Sequence, residues 1–154
     1  MVANHIRRGF DVACAVAGLV LLAPLFAAIA LAIKLDDGGA VFYRQTRIGR
    51  RLRQFTLYKF RSMVPGAERS GLLTAPQDAR LTRVGRHLRS LKLDELPQLF
   101  NVLNGEMQLV GPRPEVPRYV EIFPLEYQQL LRDRPGITGV PCTVSGTGRG
   151  GSTS

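Results

Sequence analysis

Two adjacent carboxylates, Asp94 and Glu95, are the side chains of this sequence whose type and spacing could do chemistry. They follow a basic segment and precede a segment whose apolar residues recur at helical spacing, namely Leu96, Leu99, Phe100 and Leu103. The pattern predicts a helix with Asp94 as its N-cap and Pro97 in its first turn. A capped helix start is the ordinary interpretation of such a pair. The surrounding arginines and the apolar run upstream are what favour a functional role.

Cations outnumber acids in the chain, and almost all of them are arginines. The 154 residues carry a net charge of +9, with eighteen arginines against three lysines. Anionic partners are therefore expected, and the planar guanidinium fork suits phosphate oxygens better than the point charge of lysine does. The length predicts one domain. Cys14 and Cys142 are too few and too far apart to predict a disulfide framework or a metal site.

An uncharged apolar run of 22 residues, 12–33, lies near the N-terminus. As a helix it would measure about 33 Å, enough to cross a bilayer core, and it is too long for the core of a signal peptide. Pro24 near its middle favours a kink. Basic residues flank both ends, which by the positive-inside rule places both in the cytoplasm. These features favour a segment that enters the membrane, breaks at Pro24 and returns, with a spanning helix as the open alternative.

The basic segment 44–61 contains seven cations and no acid, with aromatic residues between them. A short strand is predicted just before it at 41–43, and a loop after it at 64–79. The segment is either a solvated basic face or an anion-binding surface for lipid headgroups or a nucleotide diphosphate. Residues 80–93 predict an amphipathic helix, which fits a membrane interface as well as the surface of a soluble core.

Turn signals divide the rest of the chain. Gly105 predicts the end of the helix that follows Asp94, and Arg113 is held between two prolines, which limits its conformational freedom. Three further expectations are a helix over 115–133 with a break near Pro124, a tight turn over 134–139, and a disordered Gly/Ser/Thr tail over 141–154.

In their order along the chain, these motifs resemble those of the bacterial sugar transferases, the monotopic phosphoglycosyl transferases. The matching stretches extend over residues 5–139, and their ordered combination is far more specific than any one of them. They are Arg8-Gly9-Phe10-Asp11 with the apolar run and Pro24, then 42–49, 59–63, 81–89, 93–99, 101–105, 109–114 and 134–139.

The resemblance implies a reaction at the cytoplasmic face of the bacterial inner membrane. A UDP-sugar gives its sugar-1-phosphate to a polyprenyl phosphate, which releases UMP and initiates exopolysaccharide or glycoconjugate synthesis. By resemblance, Asp94 attacks the β-phosphate and forms a covalent phospho-sugar aspartyl intermediate, and Glu95 helps to hold Mg²⁺. A carboxylate nucleophile divides one phosphoryl transfer into two steps at a shared site, and Mg²⁺ takes hard oxygen ligands.

The resemblance and the charge of the cations together give them roles. The substrate phosphates are expected to be clamped by Lys59, Arg61, Arg89 and Arg113. The nucleotide side of the pocket is expected to hold the motif Pro112-Arg113-Pro114. The resemblance also favours a re-entrant membrane helix that breaks at Pro24. Ala23 stands where many members have a serine, so the break is expected to depend more heavily on the proline.

We therefore predict a mainly α fold with a few short strands, of the α+β class. Residues 1–36 are expected to form the re-entrant helix–break–helix and its basic flank, and residues 37–140 a small cytoplasmic catalytic domain with interfacial amphipathic helices. Family chains continue well past residue 139, so we expect this chain to be truncated at its C-terminus. A catalytically inactive relative that still binds membrane and nucleotide is the alternative function. Nucleic acid is not an expected partner, because no recognition module accompanies the charge.

Overall fold

Two helices joined at a bend form the N-terminal part of the computed structural model, which describes residues 2–67, 78–122, 127, 131 and 133–139. Helix α1 is Val2–Leu21 and helix α2 is Ala23–Asp37, and their axes are bent by 59°. Pro24 lies in the first turn of α2, where a proline is tolerated, and it has no N–H to donate to the carbonyl of Val20. The predicted break therefore falls at Leu22, two residues before Pro24.

The bend excludes an unbroken straight helix through the apolar run. Within the part of the chain that the structure describes, no single helix is both long and apolar enough to cross a membrane. The bent pair 5–21 and 23–37 reaches that length and composition only when its two arms are taken together. Which side of a membrane each end occupies stays a prediction.

A β-hairpin occupies the basic segment, for which the sequence predicted only a short strand at 41–43. Strand β1, Phe42–Ile48, pairs antiparallel with strand β2, Gln54–Phe60, in a register that places Phe42 opposite Phe60. A 3-10 turn, Arg50–Leu52, joins them. Side chains along β1 alternate between exposed and half-buried. The half-buried face of β1 carries polar residues. The sequence therefore lacks the alternating apolar and polar residues by which a strand is usually recognised.

Two short helices follow the hairpin and frame the carboxylate pair. Helix α3, Arg83–Ser90, begins where the Thr82 hydroxyl accepts a hydrogen bond from the Gly85 amide at 2.9 Å. The predicted helix over 80–93 is therefore longer than the observed one, because the backbone turns left-handed at Lys92, with φ 56°. Asp94 lies in a 3-10 turn, Leu93–Glu95, and helix α4 is Gln98–Asn104, so the prediction that Asp94 caps this helix is wrong. The predicted stop at Gly105 is confirmed.

The C-terminal described residues add two strands and one helix. Strand β3, Gln108–Val110, pairs in parallel with strand β4, Gly136–Thr138, so the tight turn predicted over 134–139 is wrong. A Cβ on Gly136 would overlap the backbone of Gly111, which explains why glycine is needed where the strands approach. Helix α5 is Pro117–Ile122. The break predicted near Pro124, the tail 141–154 and most of the predicted loop 64–79 lie outside the described residues.

The two arms of the bent helix pair are held on either side of β2 by separate apolar clusters. The α1 arm packs through Ala15 against Leu57 and the buried face of α4, which includes Val102. The α2 arm packs through Ile29 and Ile33 against Phe60 and Leu88. A third apolar cluster packs at the end of β1, next to the hairpin turn. It contains Ile48, Val120, Tyr127 and Leu131. The mixture of helices and two small sheets confirms the predicted α+β class.

Candidate active site

An open cleft of about 910 Å³ lies between the hairpin, α3 and the 3-10 turn at residues 93–95. Its wall contains both predicted catalytic carboxylates and all four predicted phosphate-binding cations, namely Lys59, Arg61, Arg89, Asp94, Glu95 and Arg113. The two prolines beside Arg113 do not line it. The fold thus brings together charged side chains from four separate stretches of the chain.

Asp94 is buried at the base of the cleft, with 7% of its surface exposed. Burial raises the pKa of its carboxyl, and the nearby Glu95 charge raises it further, while Lys59 and Arg89 act in the opposite direction. The left-handed backbone of Lys92 just before the 3-10 turn directs the chain into this position. Asp94 is consequently a poorly hydrated carboxylate that depends on neighbouring cations for its charge.

Glu95 contacts both Lys59 of the hairpin and Arg113, the residue between the two prolines. Its Oε1 accepts a hydrogen bond from Lys59 Nζ at 2.9 Å and lies 3.5 Å from Arg113 Nη2. The Arg113 side chain is 61% exposed, so its ion pair contributes little stability and leaves the guanidinium able to turn toward a ligand. Lys59 is better shielded and holds Glu95 in place.

Arg89 and Arg61 line the cleft from different elements, and they differ in their partners. Arg89, in the last turn of α3, donates from Nε to the Ser62 hydroxyl at 3.0 Å. Arg61 is 9% exposed and forms an ion pair with Asp37 at the end of α2. A Cβ on Gly39 would overlap the Arg61 guanidinium, so the turn after α2 packs closely over it. Arg61 therefore links the bent helix pair to the cleft wall.

The sequence did not single out Asp36 and Asp37, although both position parts of the site. The Asp36 Oδ2 accepts a hydrogen bond from the Val84 amide at 3.0 Å, at the start of α3. Asp37 pairs with Arg61. The position of the two aspartates at the end of the apolar run was the one available signal in the sequence.

Arg47 is a third residue that the sequence analysis left without an individual role. Its Nη1 donates to the Pro114 carbonyl at 3.3 Å, and its Nε and Nη2 donate to the Gln45 Oε1 at 3.1 and 2.8 Å. Burial lowers its pKa, and the Glu115 carboxylate opposes that effect. Arg47 thus ties β1 to the proline-flanked segment that carries Arg113. Tyr43, Gln45 and Arg47 are spaced two residues apart. This spacing, typical of one face of a strand, was the signal that would have placed Arg47 with the other two.

The acidic residues fit a metal held largely by a substrate. Across the described ranges there is no group of three or more His, Cys, Asp or Glu side chains that could form a protein cage for a metal. Mg²⁺ commonly takes one or two carboxylates and completes its shell with water and substrate phosphates. Asp94 and Glu95, side by side in a cationic cleft, are compatible with that mode of binding.

The comparisons with known proteins agree on one family. The chain matches the family model described as Bacterial sugar transferase over residues 2–151. It is 45% identical over 147 residues to the UDP-N-acetylgalactosamine-undecaprenyl-phosphate N-acetylgalactosaminephosphotransferase of Aeromonas hydrophila, covering 92% of this chain and 34% of that protein. It is 48% identical over 143 residues to the undecaprenyl-phosphate glucose phosphotransferase of Komagataeibacter xylinus, covering 86% and 26%. The exopolysaccharide production protein PSS of Rhizobium leguminosarum bv. phaseoli is 42% identical over 144 residues, covering 88% and 72%.

These matches confirm the family predicted from the ordered motifs. The chain spans 34% of the length of the Aeromonas relative and 26% of the Komagataeibacter relative. The family model, in contrast, matches from residue 2 to residue 151 and includes the whole cleft. This chain belongs to the bacterial sugar transferase family.

Proposed function

We propose that this chain transfers sugar-1-phosphate from a UDP-sugar to a polyprenyl phosphate and so initiates an exopolysaccharide or related glycoconjugate. The observation that carries the proposal is the buried Asp94, held near Lys59 and Arg89 at the base of a cleft. The Aeromonas and Komagataeibacter relatives are named as undecaprenyl-phosphate sugar phosphotransferases, which supports a polyprenyl phosphate as the acceptor. The wide, open cleft suits a diphosphate flanked by a nucleoside and a sugar.

In the first step, an Asp94 carboxylate oxygen attacks the β-phosphorus of the UDP-sugar. A new O–P bond forms, the bond from that phosphorus to the bridging oxygen breaks, and UMP leaves with the electron pair. The protein then carries sugar-1-phosphate as an acyl phosphate on Asp94. In the second step, an oxygen of polyprenyl phosphate attacks the same phosphorus. Asp94 leaves as a carboxylate, and the product is polyprenyl-diphosphate-sugar.

The cations supply most of the catalysis, because phosphoryl transfer needs positioning and charge neutralisation more than proton transfer. Lys59 and Arg89 lie beside Asp94 and counter the charge that gathers at the reacting phosphorus. The exposed Arg113 is free to leave Glu95 and bind the nucleotide phosphates, with Arg47 fixing the backbone beneath it. The positive charge of Arg61 in the cleft wall helps to attract the substrate phosphates, and its ion pair with Asp37 keeps the side chain in place.

Mg²⁺ is the proposed cofactor, with Glu95 as its main protein ligand and Asp94 beside it. When bound, the ion would neutralise charge on the diphosphate of the sugar nucleotide and orient it. Glu95 would have to exchange part of its contact with Lys59 for the metal. Its ion pairs with Lys59 and Arg113 both use Oε1, so a metal bound through Oε2 would disturb them least.

The bent helix pair is the proposed membrane anchor, as a re-entrant segment at the cytoplasmic face of the inner membrane. Large apolar side chains near the bend and along α2 are exposed, including Val20, Leu21 and Leu31. Exposed apolar surface of this extent is typical of a membrane or protein contact. Arg7 at one end and Lys34 at the other would then remain at the same membrane surface.

The test uses the purified chain in nanodiscs with Mg²⁺, undecaprenyl phosphate and a panel of UDP-sugars. We expect UMP release together with a radiolabelled lipid product for at least one sugar. Asp94→Asn should abolish both, and the matched control Asp133→Asn, at an exposed acid outside the cleft, should retain both. A label from the UDP-sugar should also become attached to the protein and be released by hydroxylamine, except in Asp94→Asn.

The alternative is a catalytically inactive relative that still binds membrane and nucleotide. It predicts vesicle binding and UDP-sugar binding by the same preparation without UMP or labelled lipid. Turnover by Asp94→Asn at the rate of the unmodified chain would instead remove Asp94 from the nucleophilic role.

A further inference from the structure

A second cavity, of about 320 Å³, lies at the tip of the hairpin and shares no lining residue with the cleft. Three elements meet there. The turn between β1 and β2 contributes Arg50, Arg51 and Arg53, the end of α4 contributes Gly105, and Arg134 comes from the residues before β4. We call this cavity the arginine pocket. Arg134 lies more than 80 residues along the chain from the other three arginines and is brought beside them by the fold.

The charge around the arginine pocket is poorly compensated. Glu106 is the one acid in its lining, and its Oε2 already accepts a hydrogen bond from the Asn101 amide at 2.6 Å. No ion pair joins Arg51, Arg53 or Arg134 to an acid in the ranges described above. Four arginines beside one lining acid leave an excess of positive charge, which raises the local potential and concentrates anions.

A fifth arginine lies directly behind the wall of the pocket. Arg8 of α1 donates to the carbonyls of Val102 at 2.6 Å and Leu103 at 3.0 Å, and its guanidinium lies against Gly105. Burial lowers the pKa of Arg134, and the charges of Arg8 and Arg50 lower it further, while Asp11 acts in the opposite direction. This repulsion between like charges would be relieved by an anion bound among them.

We propose that the arginine pocket binds a phosphate group at a site separate from the proposed catalytic cleft. Guanidinium groups bind phosphate oxygens in bidentate fashion, and several of them around one cavity favour a phosphomonoester or phosphodiester over a simple halide. The half-buried Phe55 provides an apolar wall beside the cations. The phosphate belongs either to an anionic phospholipid headgroup or to a soluble phosphate compound. The proposal does not depend on turnover in the cleft.

The test is hydrogen exchange of the full chain, read from peptides covering 49–55 and 104–106, so that the readout is local to the pocket. One arm adds inorganic phosphate to the detergent-solubilised protein. The other compares nanodiscs of phosphatidylcholine alone with nanodiscs that also contain phosphatidylglycerol. We expect protection of both peptides in at least one arm, weakened by added salt. Protection only by phosphatidylglycerol identifies a lipid site, and protection only by inorganic phosphate identifies a soluble ligand.

The double variant Arg51→Gln/Arg53→Gln removes two pocket cations. Its matched control is Arg86→Gln/Arg118→Gln, which removes two exposed arginines that line neither cavity. Loss of two charge-assisted contacts should weaken protection at least about tenfold in ligand concentration, whereas the control should stay within about twofold of the unmodified chain. The proposal is overturned if neither arm protects the two peptides, or if the pocket variant and the control respond alike. Thermal unfolding of both variants establishes that they are folded.

Discussion

Asn101 ties α4 to the hairpin, and replacing it with aspartate should destabilise the protein strongly at neutral pH. The side chain is fully buried. Its Oδ1 accepts a hydrogen bond from the Tyr58 amide at 3.1 Å, and its Nδ2 donates to the Thr56 carbonyl and to Glu106 Oε2, both at 2.6 Å. Asn101→Asp preserves the size and one acceptor of the side chain and replaces the Nδ2 donor with a second oxygen, in a carboxyl group that is charged at neutral pH when exposed.

The magnitude follows from the two acceptors that lose their partner. A buried group left without its hydrogen bond costs about 1–3 kcal/mol, so the Thr56 carbonyl and the Glu106 carboxylate together cost roughly 2–6 kcal/mol. The introduced carboxylate also faces Glu106, and their repulsion adds to the loss at neutral pH. For a chain of this size 1 kcal/mol corresponds to roughly 2–4 °C in Tm, so we expect Tm to fall by roughly 4–24 °C.

The assay is thermal unfolding in detergent followed by circular dichroism, since the chain has no tryptophan to report by fluorescence. The control is Asn104→Asp, at an exposed position of the same helix, which should change the free energy of unfolding by no more than about 0.5 kcal/mol. The introduced carboxyl at 101 should keep its proton to a higher pH in the folded state than in the unfolded state, where its pKa is about 4. The deficit should therefore be smallest near pH 4 and grow as the pH rises. Equal losses for both variants at pH 7 would refute this account of Asn101.

Three further outcomes are expected. Asp94→Asn should stabilise the protein above neutral pH, because burial raises the pKa of Asp94 and its charge therefore costs folding free energy. The gain in Tm should shrink as the pH falls toward about 4, the pKa of the unfolded carboxyl, and should vanish below it, where the carboxyl is neutral in both states. Gly85→Ala should cost about 1–3 kcal/mol in chemical denaturation, since its Cβ would overlap the backbone of Ser62, whereas Gly9→Ala, with open space around it, should not destabilise. Arg8→Gln should speed hydrogen exchange along α1 more than the exposed-site control Arg7→Gln does, because the Arg8 side chain donates hydrogen bonds to α4. Equal exchange in the two variants would contradict the inference that Arg8 holds α1 against α4.

The elements that the sequence predicted well are those whose signal is local. The bend near Pro24 follows from a missing N–H, and the end of α4 follows from Gly105, whose φ of 82° is easy only for glycine. The six charged side chains predicted for the site all lie in the cleft wall, although their roles stay predictions. The first two inferences needed only the immediate neighbours of a residue, whereas the third needed the order of motifs along the chain.

The elements that were missed depend on contacts between distant segments. Strand β4 forms only because β3 lies beside it, and its glycine resembles that of a turn. The hairpin was hidden because the face of β1 that looks into the cleft carries Tyr43, Gln45 and Arg47 instead of apolar side chains. Asp94 resembled an N-cap, yet the left-handed Lys92 ends the previous helix and moves the carboxylate into the cleft. No local pattern could have shown that Arg61 faces Asp37.

The paired contacts at the end of α2 fix the rotational phase of that helix. Asp36 holds the start of α3 and Asp37 holds Arg61, so two neighbouring side chains must point toward different partners at once. One residue inserted between Pro24 and Asp36 would rotate both aspartates by about 100° about the helix axis and move them about 1.5 Å along it. Seven residues, close to two full turns, would restore the angle but displace the bend by about 10 Å. The length of this arm is therefore set by angular register with the domain it carries, as well as by the depth of any membrane around it.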